Sequence, residues 1–318
     1  MKKPFFIFIL FIFSLSILVH EASAKLLVLG TFEHWADLAH QIGGDKIESR
    51  FLGKGYQNPH EIPSTPAFVP LLNKADLLLV NGQELELNWL PQALILCRNQ
   101  KIQKGERGYV DVSKDVPLLQ YDPDDLKDSP FARLLVLLTA GKIGNHHYWM
   151  EPSNNLIMAK NIEQALEEAD PGNVLFYQAN LKTFSEKLSQ KINEWDAMMA
   201  PYKGEKIVSY HRSWTYLSER YHWTIEDYVE PHETIPPSAS YMAALVEKMK
   251  KENVRIILME NYQNLQIARS IADRAHAEIV NVPSSVSKEL GVPDVFSLFD
   301  KIFGEFSKAF KKAKHQIG

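Results

Sequence analysis

The residues of this chain that are best suited to chemistry are histidines and carboxylates in short loops. Residues 144–155 read G-N-H-H-Y-W-M-E-P-S-N-N and place His146, His147 and Glu151 just before a helical pattern. Imidazole and carboxylate are the usual zinc ligands where thiolates are not available, and the chain has one cysteine, Cys97. A cysteine-based zinc site is therefore excluded. We interpret His147 as one ligand of a metal site whose other ligands lie far away in sequence.

Three further candidates each follow a predicted strand, namely His60, His211 and Glu260. In parallel α/β sheets, ligands bind in the crevice beyond the carboxyl ends of the strands. Two of the four candidates come from each half of the chain, so a cleft between two domains would gather them. Glu260 has two interpretations here: it is a direct ligand, or it holds a ligating imidazole by the other ring nitrogen.

The remaining histidines have simpler interpretations. A single histidine in an α/β loop is most often a surface or hydrogen-bonding residue. His146 is the main competitor of His147, and we interpret it as a residue at the rim of the site or in its outer shell. Six others are expected to be structural or to face solvent: His34, His40, His222, His232, His276 and His315.

The elements that must position these residues alternate between strands and helices in the first half of the chain. Short apolar runs predict strands, and apolar residues spaced by three or four predict helices. The predicted strands are residues 26–30, 47–52, 75–80 and, from weaker patterns, 109–112 and 134–138; the helices are residues 32–42 and one starting near Ser64 or Thr65. This alternation is typical of a parallel α/β domain. Residues 122–128 are expected to form an acidic surface loop.

Two consecutive helices are predicted in the middle of the chain. The first begins near Pro152, with Ser153 or Asn154 as its cap. The second covers residues 174–200, which contain no glycine or proline and carry an apolar stripe from Tyr177 to Met199. At 1.5 Å per residue this helix is about 40 Å long, so we expect it to span two domains.

The second half repeats the α/β alternation. Its predicted strands are residues 206–210, 224–229, 254–259 and 278–282; its helices are residues 213–221, 240–251 (capped by Ser238), 265–277 and 295–310. The predicted fold is α/β, with two lobes that each contain a mostly parallel sheet flanked by helices, joined by a long rigid backbone helix. We divide the chain into an N-terminal lobe (25–152), the second-ligand and linking helices (153–201) and a C-terminal lobe (202–318).

Residues 1–24 are predicted to be a cleavable signal peptide. Two lysines precede the apolar run 5–19, and Ala22-Ser23-Ala24 is an A-x-A cleavage motif. The run is shorter than the roughly 20 residues that a membrane span needs, and no cysteine follows it, so we expect an exported, periplasmic chain without a lipid anchor. The formal net charge is −4 and no basic stripe stands out, which argues against a nucleic-acid partner.

Four segments together resemble the metal-binding solute-binding proteins of ABC transporters, the zinc/manganese (cluster A-I) family. The matching segments are Asn58-Pro59-His60, His147-Tyr148-Trp149-Met150-Glu151-Pro152, Val208-Ser209-Tyr210-His211 and Ile257-Leu258-Met259-Glu260. The resemblance covers essentially all of the chain after the signal peptide. It implies two α/β lobes with metal in the cleft, His60, His147 and His211 as ligands, a membrane permease as partner, and a monomer without enzymatic activity.

The sequence departs from the family at the fourth ligand. Many relatives have an aspartate in the last loop, where this chain has Pro283-Ser284-Ser285. Glu260, Glu61 or a water molecule are the alternatives for this position. Zinc-specific relatives also carry a histidine-rich acidic loop, but residues 122–128 contain no histidine, so a metal-collecting arm is not supported.

The cargo is expected to be Zn²⁺ rather than Mn²⁺. Three imidazoles suit zinc, whereas manganese favours oxygen ligands and lies at the weak end of the Irving–Williams order. Because the ligands must be neutral and free imidazole has a pKa of about 6.5, binding should weaken below about pH 6.

Four alternative functions stay open: a manganese carrier, a three-histidine zinc hydrolase, a surface adhesin and a binder of metal chelates such as haem. No H-E-x-x-H motif supports the hydrolase.

Overall fold

The computed structural model describes residues 25–120, 144–232 and 235–315. The predicted signal peptide, the predicted acidic loop 122–128 and the candidate strand 134–138 lie outside these residues. None of the helices within the described ranges is both long enough and apolar enough to cross a membrane.

The N-terminal lobe contains a four-stranded parallel sheet whose strand order is β2-β1-β3-β4. Its strands are β1 (Leu26–Phe32), β2 (Ile47–Gly53), β3 (Leu77–Val80) and β4 (Tyr109–Asp111), and its helices are α1 (Glu33–Gly43), α2 (Phe68–Lys74) and α3 (Leu90–Leu96). Strand β1 is central and pairs with both β2 and β3. Strand β3 is buried along its whole length, as expected for an inner strand of a sheet that is covered on both faces.

The C-terminal lobe repeats this arrangement with the strand order β6-β5-β7-β8. Its strands are β5 (Lys206–Ser209), β6 (Thr224–Tyr228), β7 (Ile256–Glu260) and β8 (Glu278–Val282), and its helices are α6 (Thr215–Tyr221), α7 (Ala239–Lys251), α8 (Leu265–Ala275) and α9 (Val295–His315). All strand pairs in the two sheets are parallel, so each sheet directs the carboxyl ends of its strands to one edge.

Helices α4 (Asn154–Ala169) and α5 (Val174–Met199) connect the two lobes. Helix α5 packs against α1, α4 and α9. Asn180 on α5 donates to the carbonyl of Ile42 in the N-terminal lobe, at 2.8 Å. Further along α5, the Trp195 indole donates to Asp300 of α9, also at 2.8 Å. The expected backbone helix is therefore present and fixed to both lobes.

One cluster of buried apolar side chains runs through both lobes. It contains Val28 and Leu79 from the N-terminal sheet together with Leu258 and Phe299 from the C-terminal lobe. Helix α9 contributes a row of buried phenylalanines to it: Phe296, Phe299, Phe303, Phe306 and Phe310. A smaller second cluster lies within the C-terminal lobe. The lobes thus share a core.

The two predicted serine caps, at helices α4 and α7, have different outcomes. Ser153 precedes α4, but its side chain makes no capping bond; its hydroxyl donates instead to Glu151 at 2.8 Å. The predicted cap at this helix is therefore wrong at Ser153, because a nearby carboxylate competes for the hydroxyl. Ser238 does cap α7, since its hydroxyl accepts from the Tyr241 amide at 3.2 Å.

Candidate metal centre

His60 is placed by a tight turn beyond strand β2. The side chain of Asn58 accepts a hydrogen bond from the His60 amide at 3.1 Å, which caps a 3-10 turn over residues Pro59–Glu61. The Trp89 indole donates to the carbonyl of Pro59 at 3.2 Å and holds the turn against the lobe. His60 is only 6% exposed, so its ring is directed into the cleft and away from bulk solvent.

His147 is held by its neighbour Asn145. The Asn145 side-chain oxygen accepts from the His147 amide at 2.9 Å and lies 3.0 Å from ring atom Nδ1. Because an amide oxygen only accepts, Nδ1 carries the ring proton and Nε2 keeps its lone pair. Asn145 also donates to the carbonyl of Arg212, at 3.1 Å. The segment that carries the second candidate ligand is therefore tied to the residue after the third.

Burial keeps the His147 ring in its neutral form. It lowers the pKa of His147 well below its usual value, and the nearby His146, His211 and His60 lower it further. A neutral imidazole is the form that binds metal. The ring of His147 is thus ready to ligate without first losing a proton.

His211 follows directly beyond the end of β5 and is 3% exposed. Its ring atom Nδ1 lies 3.2 Å from the carboxylate of Glu230. A carboxylate oxygen accepts, so Nδ1 carries the ring proton here as well and Nε2 is the nitrogen that can ligate a metal. The Ser209 hydroxyl donates to the carbonyl of His211 and fixes the backbone at this point.

The three imidazoles meet in one buried group. One ligand atom from each of His60, His147 and His211 lies within 4.8 Å of the others. The Nε2 atoms of His60 and His147 are 3.2 Å apart. Two nitrogens bound to a tetrahedral zinc at about 2.0–2.1 Å are about 3.3–3.4 Å apart, so these two rings already have the separation that zinc requires. This geometry fits the expected metal site with three histidine ligands.

His146 lies beside this group without belonging to it. Its ring centroid is 4.8 Å from that of His60 and 4.5 Å from that of His147. Its backbone carbonyl accepts from Asn81 at 3.2 Å. The ligand-atom group in the described residues nevertheless contains His147 and not His146. This position agrees with the interpretation of His146 as a neighbour of the site.

Glu260 is not brought into the ligand-atom group. It ends β7, is fully buried, and its pKa is raised by that burial; charge on His211 and hydrogen bonding with Ser213 and Gln263 act in the opposite direction. The carboxylate that bonds to the outer nitrogen of a candidate ligand is instead Glu230. Sequence reasoning missed Glu230, because its distance from His211 along the chain gives no spacing signal.

A cavity of about 230 Å³ leads to the site from the cleft. His60 and His211 form part of its wall, and the carboxylates of Glu61 and Glu230 line it as well. Residues 283–285, where many relatives have the fourth ligand, also contact the N-terminal lobe. The Trp149 indole donates a hydrogen bond to the carbonyl of Ser284 at 2.7 Å. The cavity therefore gives His60 and His211 access to the cleft.

Comparisons with known proteins point to one family. The chain matches the family described as "ZnuA: Zinc-uptake complex component A periplasmic" over residues 28–306. It is 30% identical, over 285 residues, to "Metal ABC transporter substrate-binding lipoprotein ScbA" of Streptococcus cristatus, covering 88% of this chain and 80% of that protein. It is 28% identical to "Manganese ABC transporter substrate-binding lipoprotein PsaA" of Streptococcus mitis, covering 97% and 93% of the two chains.

Solved structures show the same fold. "Crystal structure of ZnuA" superposes with a TM-score of 0.74 at 20% identity, covering 90% of this chain and 99% of that chain. The Mn-bound periplasmic metal binding protein from Candidatus Liberibacter asiaticus superposes with a TM-score of 0.72 at 22% identity, covering 89% and 99%. The expected architecture of two parallel α/β lobes and a long helix is confirmed.

Proposed function

We propose, from the premise that this chain belongs to the ZnuA family of periplasmic zinc-uptake components, that it captures Zn²⁺ outside the cytoplasm and delivers it to the membrane permease of an ABC transporter. Members and relatives are solute-binding proteins of metal transporters rather than enzymes, so the hydrolase alternative is set aside. The observation that carries the proposal is the group of three buried imidazoles, His60, His147 and His211, whose ligand atoms lie within 4.8 Å.

The choice of zinc depends on the chemistry of these ligands. Three neutral nitrogen donors suit a borderline ion such as zinc better than Mn²⁺, which prefers carboxylate and water oxygens. The separation of the His60 and His147 nitrogens, 3.2 Å, supports tetrahedral coordination. In this proposal, Glu260, Glu61 or a water molecule completes the coordination. The delivery step requires a cognate permease, and the chain is proposed to act as a monomer.

Manganese is the second candidate, because relatives such as the PsaA protein of Streptococcus mitis are named for it. A competition titration separates the two ions. The purified protein is loaded with zinc, and a chromophoric chelator reports free metal as Mn²⁺ is added. Each chain should bind one zinc ion. Zinc should stay bound when manganese is added at an equal concentration, since manganese lies at the weak end of the Irving–Williams order. Displacement of zinc by equimolar manganese would refute the zinc assignment.

A further inference from the structure

We propose that Glu230 is a positioning residue that sets the metal affinity of the site through His211. Its carboxylate accepts the Nδ1–H of His211, fixes the ring so that Nε2 is offered to the ion, and supplies negative charge that three neutral imidazoles do not. The inference rests on the proposed metal-binding function and adds a positioning residue to it.

The backbone holds Glu230 beside His211. Strands β5 and β6 pair in parallel up to Ser209 and Tyr228. Two more bonds extend the pairing past both strands: the Val229 amide donates to the carbonyl of Ser209 and the Glu230 amide to that of Tyr210, each at 2.9 Å. The position of the Glu230 backbone relative to that of His211 is therefore fixed by hydrogen bonds of the sheet.

The pair is shielded from water. The Nδ1 atom of His211 and the carboxylate of Glu230 are 3.2 Å apart, and their side chains are 4% and 11% exposed. A hydrogen bond to an ionised group is about twice as strong as a neutral one, and screening by solvent is small for buried pairs. The bond can therefore hold one ring orientation.

Charge balance gives the carboxylate a role beyond orientation. A divalent ion bound by His60, His147 and His211 leaves two positive charges in a cleft whose ligands are at most 6% exposed. Uncompensated charge in such surroundings costs free energy. The ring of His147 is supported by the neutral amide of Asn145, whereas His211 is supported by a carboxylate. A carboxylate partner raises the basicity of a ligating imidazole, so His211 should be the stronger donor of the two.

The test compares Glu230→Gln with the wild type and with Glu219→Gln. The first variant keeps a hydrogen-bonding side chain but removes the charge. The second makes the same chemical change on the exposed face of helix α6 and serves as the matched control. Zinc affinity is measured by competition with a chromophoric chelator, and thermal unfolding of the metal-free proteins shows that all three fold.

Glu230→Gln should bind zinc roughly 10- to 100-fold more weakly, the usual loss when an outer-shell partner is removed, while Glu219→Gln should match the wild type. The visible absorption of bound Co²⁺ should also shift in Glu230→Gln alone, because the donor strength of His211 changes. Equal zinc affinity and identical Co²⁺ spectra for Glu230→Gln and the wild type would overturn the proposal.

A second measurement covers the case in which Glu230→Gln fails to fold. In zinc-loaded wild-type protein with ¹⁵N-labelled histidine, NMR should find the metal on Nε2 of His211 and the proton on Nδ1. The reverse assignment would overturn the role of Glu230 while leaving the metal site itself intact. Absence of zinc binding in the wild type would instead refute the proposed function, so the two failures are distinguishable.

Discussion

Two adjacent histidines, His146 and His147, differ in the contacts that their rings make. His147 has its outer nitrogen fixed by Asn145 and its Nε2 facing His60 across 3.2 Å. His146 packs its ring against both neighbours but lies outside the ligand-atom group. The proposed choice of His147 over His146 as ligand therefore depends on contacts in the loop and cannot be made from residue type alone.

Substitution of these two residues gives the first residue-scale prediction. His147→Ala should weaken zinc binding by more than the roughly 10- to 100-fold loss that follows removal of an outer-shell partner, because a direct ligand is lost. His146→Ala, the matched control, should have a much smaller effect. Isothermal titration of zinc into both variants measures the difference. A larger loss in His146→Ala would mean that the second ligand is one residue earlier.

The sequence nominates the three histidines that the structure brings together, but not their surroundings. His60, His147 and His211 each stand in a local pattern of strand end, turn and neighbouring residues that can be recognised along the chain. Glu230 contacts His211 from a neighbouring strand end, and such a contact depends on strand order and register. Asn145 contacts His147 from two residues away, but residue type alone does not show which neighbour its side chain holds. Glu260 was nominated from its place at a strand end, yet it is fully buried and outside the ligand-atom group; its ligand role stays a prediction.

At the scale of elements, helix α1 joins the N-terminal lobe to the start of α9. The Glu33 carboxylate accepts from the amides of Gly55 at 3.0 Å and Lys288 at 3.1 Å. One turn further, the Asp37 carboxylate accepts from the Val295 amide at 2.9 Å. A side chain at Gly55 could not be accommodated, because its Cβ would lie 1.7 Å from the carbonyl oxygen of Val286. These contacts fix the two lobes close to the cleft.

Asp37 gives a prediction for stability against pH. Burial raises the pKa of Asp37 from 3.8 to about 7, with Asp294 adding to the rise and the Val295 amide, Gln41 and Lys288 opposing it. The native state therefore binds more protons than the unfolded state between about pH 4 and 7, and stability falls as pH rises through this window. Asp37→Asn, which keeps an acceptor for the Val295 amide, should remove this decline.

The measurement is chemical denaturation of metal-free protein at pH 5 and pH 8. The loss of stability between these two values should be smaller in Asp37→Asn than in the wild type by on the order of 2 kcal/mol. Burial also raises the pKa of Glu86 to about 7, but Glu86 is present in both proteins and cancels in the comparison. The exposed Asp45→Asn is the control. Parallel pH profiles for Asp37→Asn and the wild type would contradict the assignment.

Most helices and strands were predictable to within a few residues because their apolar periodicities are strong. Strand β8 and helix α5 are examples: the predicted ranges 278–282 and 174–200 correspond to Glu278–Val282 and Val174–Met199. Helix α3 was not predicted. Other errors occurred at element ends, where polar side chains have several possible hydrogen-bond partners. Ser153 bonds to Glu151 rather than to a helix amide, and the predicted helix 213–221 begins with a 3-10 turn at Arg212–Trp214.

At the scale of the whole molecule, the two lobes have little freedom to move as rigid bodies. The shared core, the long helix α5 and the α1–α9 contacts all cross between them. Hydrogen bonds near the cleft also join the two lobes, including the one that the Asn261 side chain donates to the carbonyl of Tyr56 at 3.0 Å. Opening the cleft widely would break these contacts together, so metal release should use small shifts and loop rearrangements.

Small-angle scattering tests this expectation. The radius of gyration with and without zinc should agree within about 1 Å, because the backbone of pre-organised partners moves by no more than about 1 Å on binding. The His147→Ala variant, measured under the same conditions, controls for effects of zinc that do not arise from the site. A decrease in radius on adding zinc to the wild type, of the size seen in hinged domain closure, would contradict a rigid backbone.

The shared core also has a consequence for biosynthesis. Strand β1 and helix α1 leave the ribosome among the first of the described elements, but the phenylalanines that complete their hydrophobic cluster lie on α9, the last of them. A chain that lacks α9 leaves part of this cluster exposed to water, and exposed apolar surface lowers stability. We therefore expect the N-terminal lobe to reach its full stability only after α9, the last of the described helices, has been synthesised and packed.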